Sequence, residues 1–152
     1  MIDLKIHKRQ IGVTLPELLV VIAIILILAV VVVPSIASVL PHYKLKGGSQ
    51  ELVSAIRESQ NLATTTQQTH LIRFNINENS YSSIRKIDDA ETIIKTTNLP
   101  GSISLFAVNI TNNQVSFNSS GAPTNAGTII LTNTKGATIT IEITNSGQIK
   151  SY

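Results

Sequence analysis

The uninterrupted apolar run from Leu18 to Val33 limits this chain more than any other feature, because no polar residue in it marks a solvent face. A helix on the surface of a soluble domain carries a polar stripe opposite its apolar one, at a period of about 3.6 residues. Nothing in this run alternates. With Val13 as its start the stretch makes about 30 Å of helix, the thickness of a bilayer's hydrocarbon core. Only Thr14, Pro16 and Glu17 depart from the apolar pattern, and no charge appears from Leu18 through Tyr43. The run reads as a transmembrane helix; a fully buried helix of a soluble domain is the competing reading.

The charges flanking the run give it a direction. Lys5, Lys8 and Arg9 precede it, opposed only by Asp3. Positive residues stay on the cytoplasmic side, so the chain is expected to pass once through the prokaryotic cytoplasmic (inner) membrane with its carboxyl-terminal part exported. A cleaved secretory signal is the alternative, with Ser35-Ile36-Ala37 as its cleavage site beyond the run. Those leader residues also carry most of the formal +3 charge of the 152-residue chain. Beyond Gly12 the charges nearly balance, which removes net charge as an argument for nucleic acid. There is no cysteine, hence neither disulfide nor thiolate chemistry.

Glu17 is the anomaly, a carboxylate at the edge of an apolar run, where charge is costly unless paired. A carboxylate in the first turn faces the favourable end of the helix dipole. It also lies near one helix face with a residue four positions earlier, Val13.

The stretch Ile11-Gly12-Val13-Thr14-Leu15-Pro16-Glu17-Leu18-Leu19-Val20-Val21 resembles the class III signal of type IV prepilins and type II secretion pseudopilins: a basic leader, Gly, an apolar residue, Thr, Leu, a variable residue, Glu, then an apolar helix. The resemblance implies cleavage between Gly12 and Val13 by a prepilin peptidase that also acts as an N-methyltransferase. It makes Glu17 the family's assembly glutamate, setting axial register, and places Pro34 where such helices are loosened. Val13 in place of the usual Phe and Pro16 at the variable position are departures. Pro16 falls in the first helical turn, where a missing N–H costs little.

Beyond the apolar run the pattern changes twice. Leu52, Ile56, Ser59 and Ala63 share one helix face, with Ala55 and Leu62 beside it, which predicts an amphipathic continuation. Pro34 should kink the helix, and Pro41 and Gly47-Gly48 weaken it further. From His70 the period becomes two. Ile72, Phe74 and Ile76 alternate with Leu71, Arg73 and Asn75, and Ile139, Ile141 and Ile143 alternate with polar neighbours. Further strands are predicted over 81–86, 92–95, 102–108, 114–117, 127–132 and 148–151, with turns at Pro100-Gly101, Asn112-Asn113, Lys135-Gly136 and Ser146-Gly147. The expected fold is α+β: a long amino-terminal helix, transmembrane in its first half and amphipathic in its second, packed on a mostly antiparallel β head. The expected boundaries are 1–12 leader, 13–40 transmembrane and filament-core helix, 41–69 amphipathic helix, and 70–152 head.

The head carries a second resemblance. Glu51-Leu52-Val53-Ser54-Ala55-Ile56-Arg57, then Leu71-Ile72-Arg73-Phe74, Leu99-Pro100-Gly101, Val115–Gly121 and the last hairpin from Ala137 are similar in order to minor pseudopilins with the H-type head, and to related minor pilins of type IV and DNA-uptake pili. This implies a structural subunit of a secretion pseudopilus or pilus, periplasmic or at the cell surface once assembled. Its partners would be the peptidase and methyltransferase, other pilin or pseudopilin subunits, an inner-membrane assembly platform, and membrane lipid before assembly. The alternatives are a DNA-uptake minor pilin contacting DNA and a non-polymerising single-span protein with an exported binding domain.

Enzymatic chemistry is not expected. HExxH, GxSxG and Cys/His ligand sets are missing. Asp88-Asp89 with Glu91 reads as a solvated turn rather than a metal site, and Ser119-Ser120-Gly121 as a loop. Arg57, Arg73, Arg85, Lys86, Lys95, Lys135 and Lys150 are scattered, which weakens the case for DNA. No catalytic residue, cofactor or metal is assigned.

Overall fold

The computed structural model describes residues 12–88 and 90–152, without the side chains of residues 31–35. The leader charges, the side chain of Pro34 and Asp89 lie outside the described residues. The chain divides into two compact units, Met1–Ser38 and Val39–Tyr152.

In the first unit Gly12, Val13 and Thr14 precede the helix α1 (Leu15–Thr66). The Thr14 carbonyl accepts from the Leu18 N–H at 3.1 Å, which starts the helical ladder there. Pro16 sits in the first turn, where no intrahelical donor is required. The apolar side chains that follow are exposed all round, from Leu18 and Leu19 to Ile27 and Val30.

The expectation of a transmembrane segment is overturned: among the described residues no helix is long and apolar enough to cross a membrane. The described apolar side chains run unbroken only from Leu18 to Val30, about 20 Å of helix, against a hydrocarbon core of about 30 Å. Glu17 closes the run at one end. The single-pass inner-membrane topology is corrected with it. The non-polymerising single-span alternative and the lipid contact before assembly rested on that span and lose their basis.

The second unit takes up α1 where its sequence becomes amphipathic. Leu45, Leu52, Ile56, Ser59 and Ala63 are buried, while Glu51, Arg57, Glu58 and Asn61 are exposed. The strands follow as β1 (Thr69–Asn75), β2 (Ser80–Ile87), β3 (Ala90–Asn98), β4 (Ile103–Asn109), β5 (Gln114–Phe117), β6 (Gly127–Asn133), β7 (Thr138–Ile143) and β8 (Ile149–Ser151), with a short 3-10 turn at Thr111–Asn113. They form two four-stranded sheets, ordered β3-β2-β1-β5 and β4-β6-β7-β8, and every strand pair is antiparallel. Ile72, Phe74, Val115 and Phe117 of the first sheet and Ile129, Leu131, Ile141 and Ile143 of the second meet the α1 stripe in one core.

Ile76, expected to continue the inward face of β1, is exposed. The strand ends at Asn75, whose side-chain oxygen accepts from the Glu78 N–H at 3.2 Å and turns the chain. The β3 strand is longer than its sequence suggested. It is an exposed edge with no buried alternation to read. Two edge strands carry bulges. The register of β2 against β3 shifts at Ser83/Ile84 and leaves Ile94 unopposed. The register of β4 against β6 shifts at Leu105/Ala107 and leaves Phe106 unopposed. Both bulge residues face solvent, and a bulged edge resists edge-to-edge pairing.

Candidate functional site

The processing segment is open. Gly12 is exposed, and a Cβ built on it would meet nothing within 4 Å. Val13 is 72% exposed. Glu17 lies exposed in the first turn of α1, at the favourable end of the dipole. Gly12, Val13 and Glu17 are thus grouped along one short segment. Pro34 lies within the continuous span of α1, in the stretch whose side chains are not described.

The head is held by side-chain amides that the sequence reading did not single out. Asn79, at positive φ between β1 and β2, donates through Nδ2 to the Ile103 carbonyl at 2.7 Å and accepts at Oδ1 from the Leu105 N–H at 2.8 Å. Its own carbonyl accepts from the Leu99 N–H at 2.9 Å. One residue thereby ties the first sheet to the edge of the second. Its signal was an Asn in a turn-forming run, since Asn tolerates the left-handed region. Gln60 of α1 donates to the Gly121 carbonyl at 2.9 Å and the Gly147 carbonyl at 3.4 Å. Asn118 accepts at Oδ1 from the Ser120 and Ala122 N–H groups, both at 3.0 Å. The Ser119-Ser120-Gly121 segment is a loop organised by these amides.

His70 is buried on the core side of β1. Thr66 Oγ1 donates its one proton to the Leu62 carbonyl at 2.7 Å, so its contact with His70 Nε2 at 3.1 Å makes the imidazole the donor. Nδ1 is then the unprotonated nitrogen, buried with no hydrogen-bond partner among the described residues. Burial, with the Arg85 cation nearby, pushes the imidazole below its ordinary value.

On the outer face of the first sheet Arg73 donates to Gln114 Oε1 from Nε at 3.1 Å and from Nη2 at 3.0 Å. It pairs with Glu91 at 2.9 Å. The hydrogen bond from Arg73 holds the Glu91 carboxyl below its ordinary value. Glu91 is therefore a structural partner of Arg73, Asp88 occupies a turn at positive φ, and Asp89 lies outside the described residues. No group of metal-ligating side chains gathers among the described residues. Among the described residues the basic side chains stay spread over several elements, and Arg57 and Lys150 line a common groove.

Comparison with known proteins follows the same division of the chain. Residues 7–33 match the family model described as the prokaryotic N-terminal methylation motif. Residues 48–147 match the model described as Type II transport protein GspH. The minor pseudopilin EpsH from the Type 2 Secretion System of Vibrio cholerae superposes with a TM-score of 0.62 at 13% identity, over 72% of this chain and 96% of that one. The type IV minor pilin FimU of Pseudomonas aeruginosa superposes with a TM-score of 0.58 at 11% identity, over 73% and 90%. No curated protein matches by sequence. The fold is that of a pilin-like head. The chain belongs to the Type II transport protein GspH family, within the type IV pilin and type II secretion pseudopilin superfamily. It is a structural subunit of a pilus or secretion system and not an enzyme. The methylation motif supports interaction with a processing peptidase and methyltransferase, and the family supports interaction with other pilin subunits.

Proposed function

We propose that this chain is a minor subunit of a type II secretion pseudopilus or type IV pilus, with the H-type head, matured by cleavage between Gly12 and Val13. The observation that carries the reading is one chain joining a methylation motif over residues 7–33 to a GspH-family head over residues 48–147. The open backbone at Gly12 suits a peptidase that must extend the chain through its site. Cleavage would give Val13 a free amine four residues before Glu17. That pair, within a chain or between neighbours, would set the axial register of helices that otherwise slide on apolar contacts. The exposed apolar residues from Leu18 to Val30 would be buried laterally between helices, contributing about 25 cal/mol per Å² covered. Pro34 would loosen α1 to fit its neighbours, and the assembly platform of such a system would add the subunit to the filament base. DNA contact has less support, because the basic residues do not form one surface.

The test is amino-terminal peptide mass spectrometry of the protein from native cells and sheared filaments. A terminus at Val13 bearing one added methyl is expected. An intact Met1 or a terminus near Ser38 overturns the reading.

A further inference from the structure

The loop between β5 and β6 places more donors on one side-chain oxygen than a neutral amide requires. Asn118 Oδ1 accepts from the Ser120 hydroxyl at 2.7 Å, the Ser120 N–H at 3.0 Å and the Ala122 N–H at 3.0 Å. An amide oxygen offers two lone pairs, so these donors crowd a single carbonyl. The loop that supplies them is held from several sides. The Asn118 N–H donates to the Ala122 carbonyl at 3.0 Å, and the Gly121 N–H to the Asn118 carbonyl at 2.8 Å. From α1, Gln60 donates to the Gly121 carbonyl at 2.9 Å and Gln67 to the Ser119 carbonyl at 3.4 Å.

Donors fixed about 2.7–3.1 Å from a carbonyl oxygen stabilise the oxyanion of an acyl transfer, because nothing must reorganise as the charge develops. The nucleophile is already in the chain. The hydrogen bond from the Ser120 N–H to Oδ1 closes a ring that contains both Asn118 Cγ and the Ser119 backbone nitrogen. The side chain is therefore folded over the atom that can attack it. The Ser119 N–H donates to nothing among the described residues. Asn118 Nδ2 is likewise unengaged there, on an exposed residue. A braced carbonyl, an untied nucleophile and an untied leaving group thus meet at adjacent residues.

We infer that Asn118 is a site of self-deamidation. The Ser119 nitrogen bonds to Asn118 Cγ while Ser120 and Ala122 take up the charge on Oδ1. The bond from Cγ to Nδ2 then breaks. The Ser119 proton passes through solvent to the departing amine, which leaves as ammonia. Water opens the resulting cyclic imide at either carbonyl and gives aspartate or isoaspartate. Aspartate keeps the same donors, now in charge-assisted bonds about twice as strong, and adds a negative charge to the loop. Isoaspartate lengthens the main chain of the loop. The reaction needs neither a partner nor an enzyme, so it holds whether or not the filament reading does.

The chain supplies its own controls, since Asn79-Ser80 and Asn145-Ser146 repeat the dipeptide. Asn79 has its amine tied to the Ile103 carbonyl at 2.7 Å. Asn145 is exposed, with no donor on its side chain among the described residues. Peptide mass spectrometry of the full-length chain, aged folded and aged unfolded in urea, reads the amide-to-acid exchange at each site. In the folded chain Asn118 is expected to convert about tenfold faster than Asn145, less than the about 100-fold that one such donor is worth in an enclosed active site. Asn79 should convert slowest, and in urea the sites should converge. Ser120→Ala removes the shortest donor and should bring the folded rate at Asn118 down towards that of Asn145 without changing it in urea. Ser120→Thr keeps the hydroxyl and should keep the rate, which separates loss of the donor from collapse of the loop. A folded rate at Asn118 no higher than at Asn145, a higher rate unfolded than folded, or a folded rate indifferent to Ser120→Ala overturns the site.

Discussion

Asn79 is placed so that backbone and side chain both serve the join between the sheets, and removing the amide leaves two polar groups of β4 without partners. Asn79→Ala should lower unfolding free energy by about 2–3 kcal/mol, since each lost bond costs about 1 kcal/mol and more where a buried group is orphaned. Urea unfolding of the full chain measures it, and a change under about 0.5 kcal/mol, the range of ordinary surface substitutions, would show that the bridge is incidental. His70 gives a pH signature. Its folded value lies below the ordinary 6.5, so the unfolded chain binds the extra proton first as pH falls. The stability from a neutral His70 is complete above about 6.5 and is lost as pH falls through the lower folded value. His70→Gln should flatten that part of the unfolding profile between neutral pH and pH 5. A profile unchanged by the substitution would exclude His70 as the source.

At the scale of elements, burial separates substitutions that look alike. Ile56 on α1 is fully buried, whereas Ile93 on the β3 edge is 63% exposed. Ile56→Ala should cost about 2–5 kcal/mol, and Ile93→Ala should be nearly neutral; thermal unfolding of the two variants compares them. Gly127 begins β6 at φ +158, and a Cβ there would collide with the Asn109 carbonyl oxygen across the strand pair. Gly127→Ala must therefore move backbone, and should shift the midpoint more than Gly136→Ala, where a Cβ meets open space at φ +77. The elements were legible where periodicity and burial agree. Leu52, Ile56, Ser59 and Ala63 share a face because one core covers them, and Ile141 and Ile143 point inward as their alternation requires. Periodicity does not encode the amides. Asn79 meets Ile103 across two intervening strands, and Gln60 meets Gly147 only after the whole head has formed. The groove that Arg57 and Lys150 line was invisible for the same reason: the two residues come to it through the fold alone.

For the whole molecule, maturation and assembly should separate genetically. Glu17→Val leaves Gly12 and Val13 in place, so the mature terminus should still form while the protein disappears from sheared filaments. Gly12→Leu should instead retain the leader, detected as a larger intact mass. If Glu17→Val blocks cleavage as well, the carboxylate belongs to peptidase recognition and not to register. The apolar run was legible as a feature but not in its consequence, because its described part is too short to span a bilayer while wholly exposed.

The attachment of head to helix has a mechanical meaning. Leu45, Leu52, Ile56 and Ala63 grip the core along several turns of α1, and Gln60 fastens two loops to the same stretch of helix. A pull along the axis loads these contacts in shear, all together, whereas a sideways pull would peel them one after another. With no cysteine to lock it, the head of Val39–Tyr152 is fastened to its own stretch of α1 most firmly against a pull along that stretch.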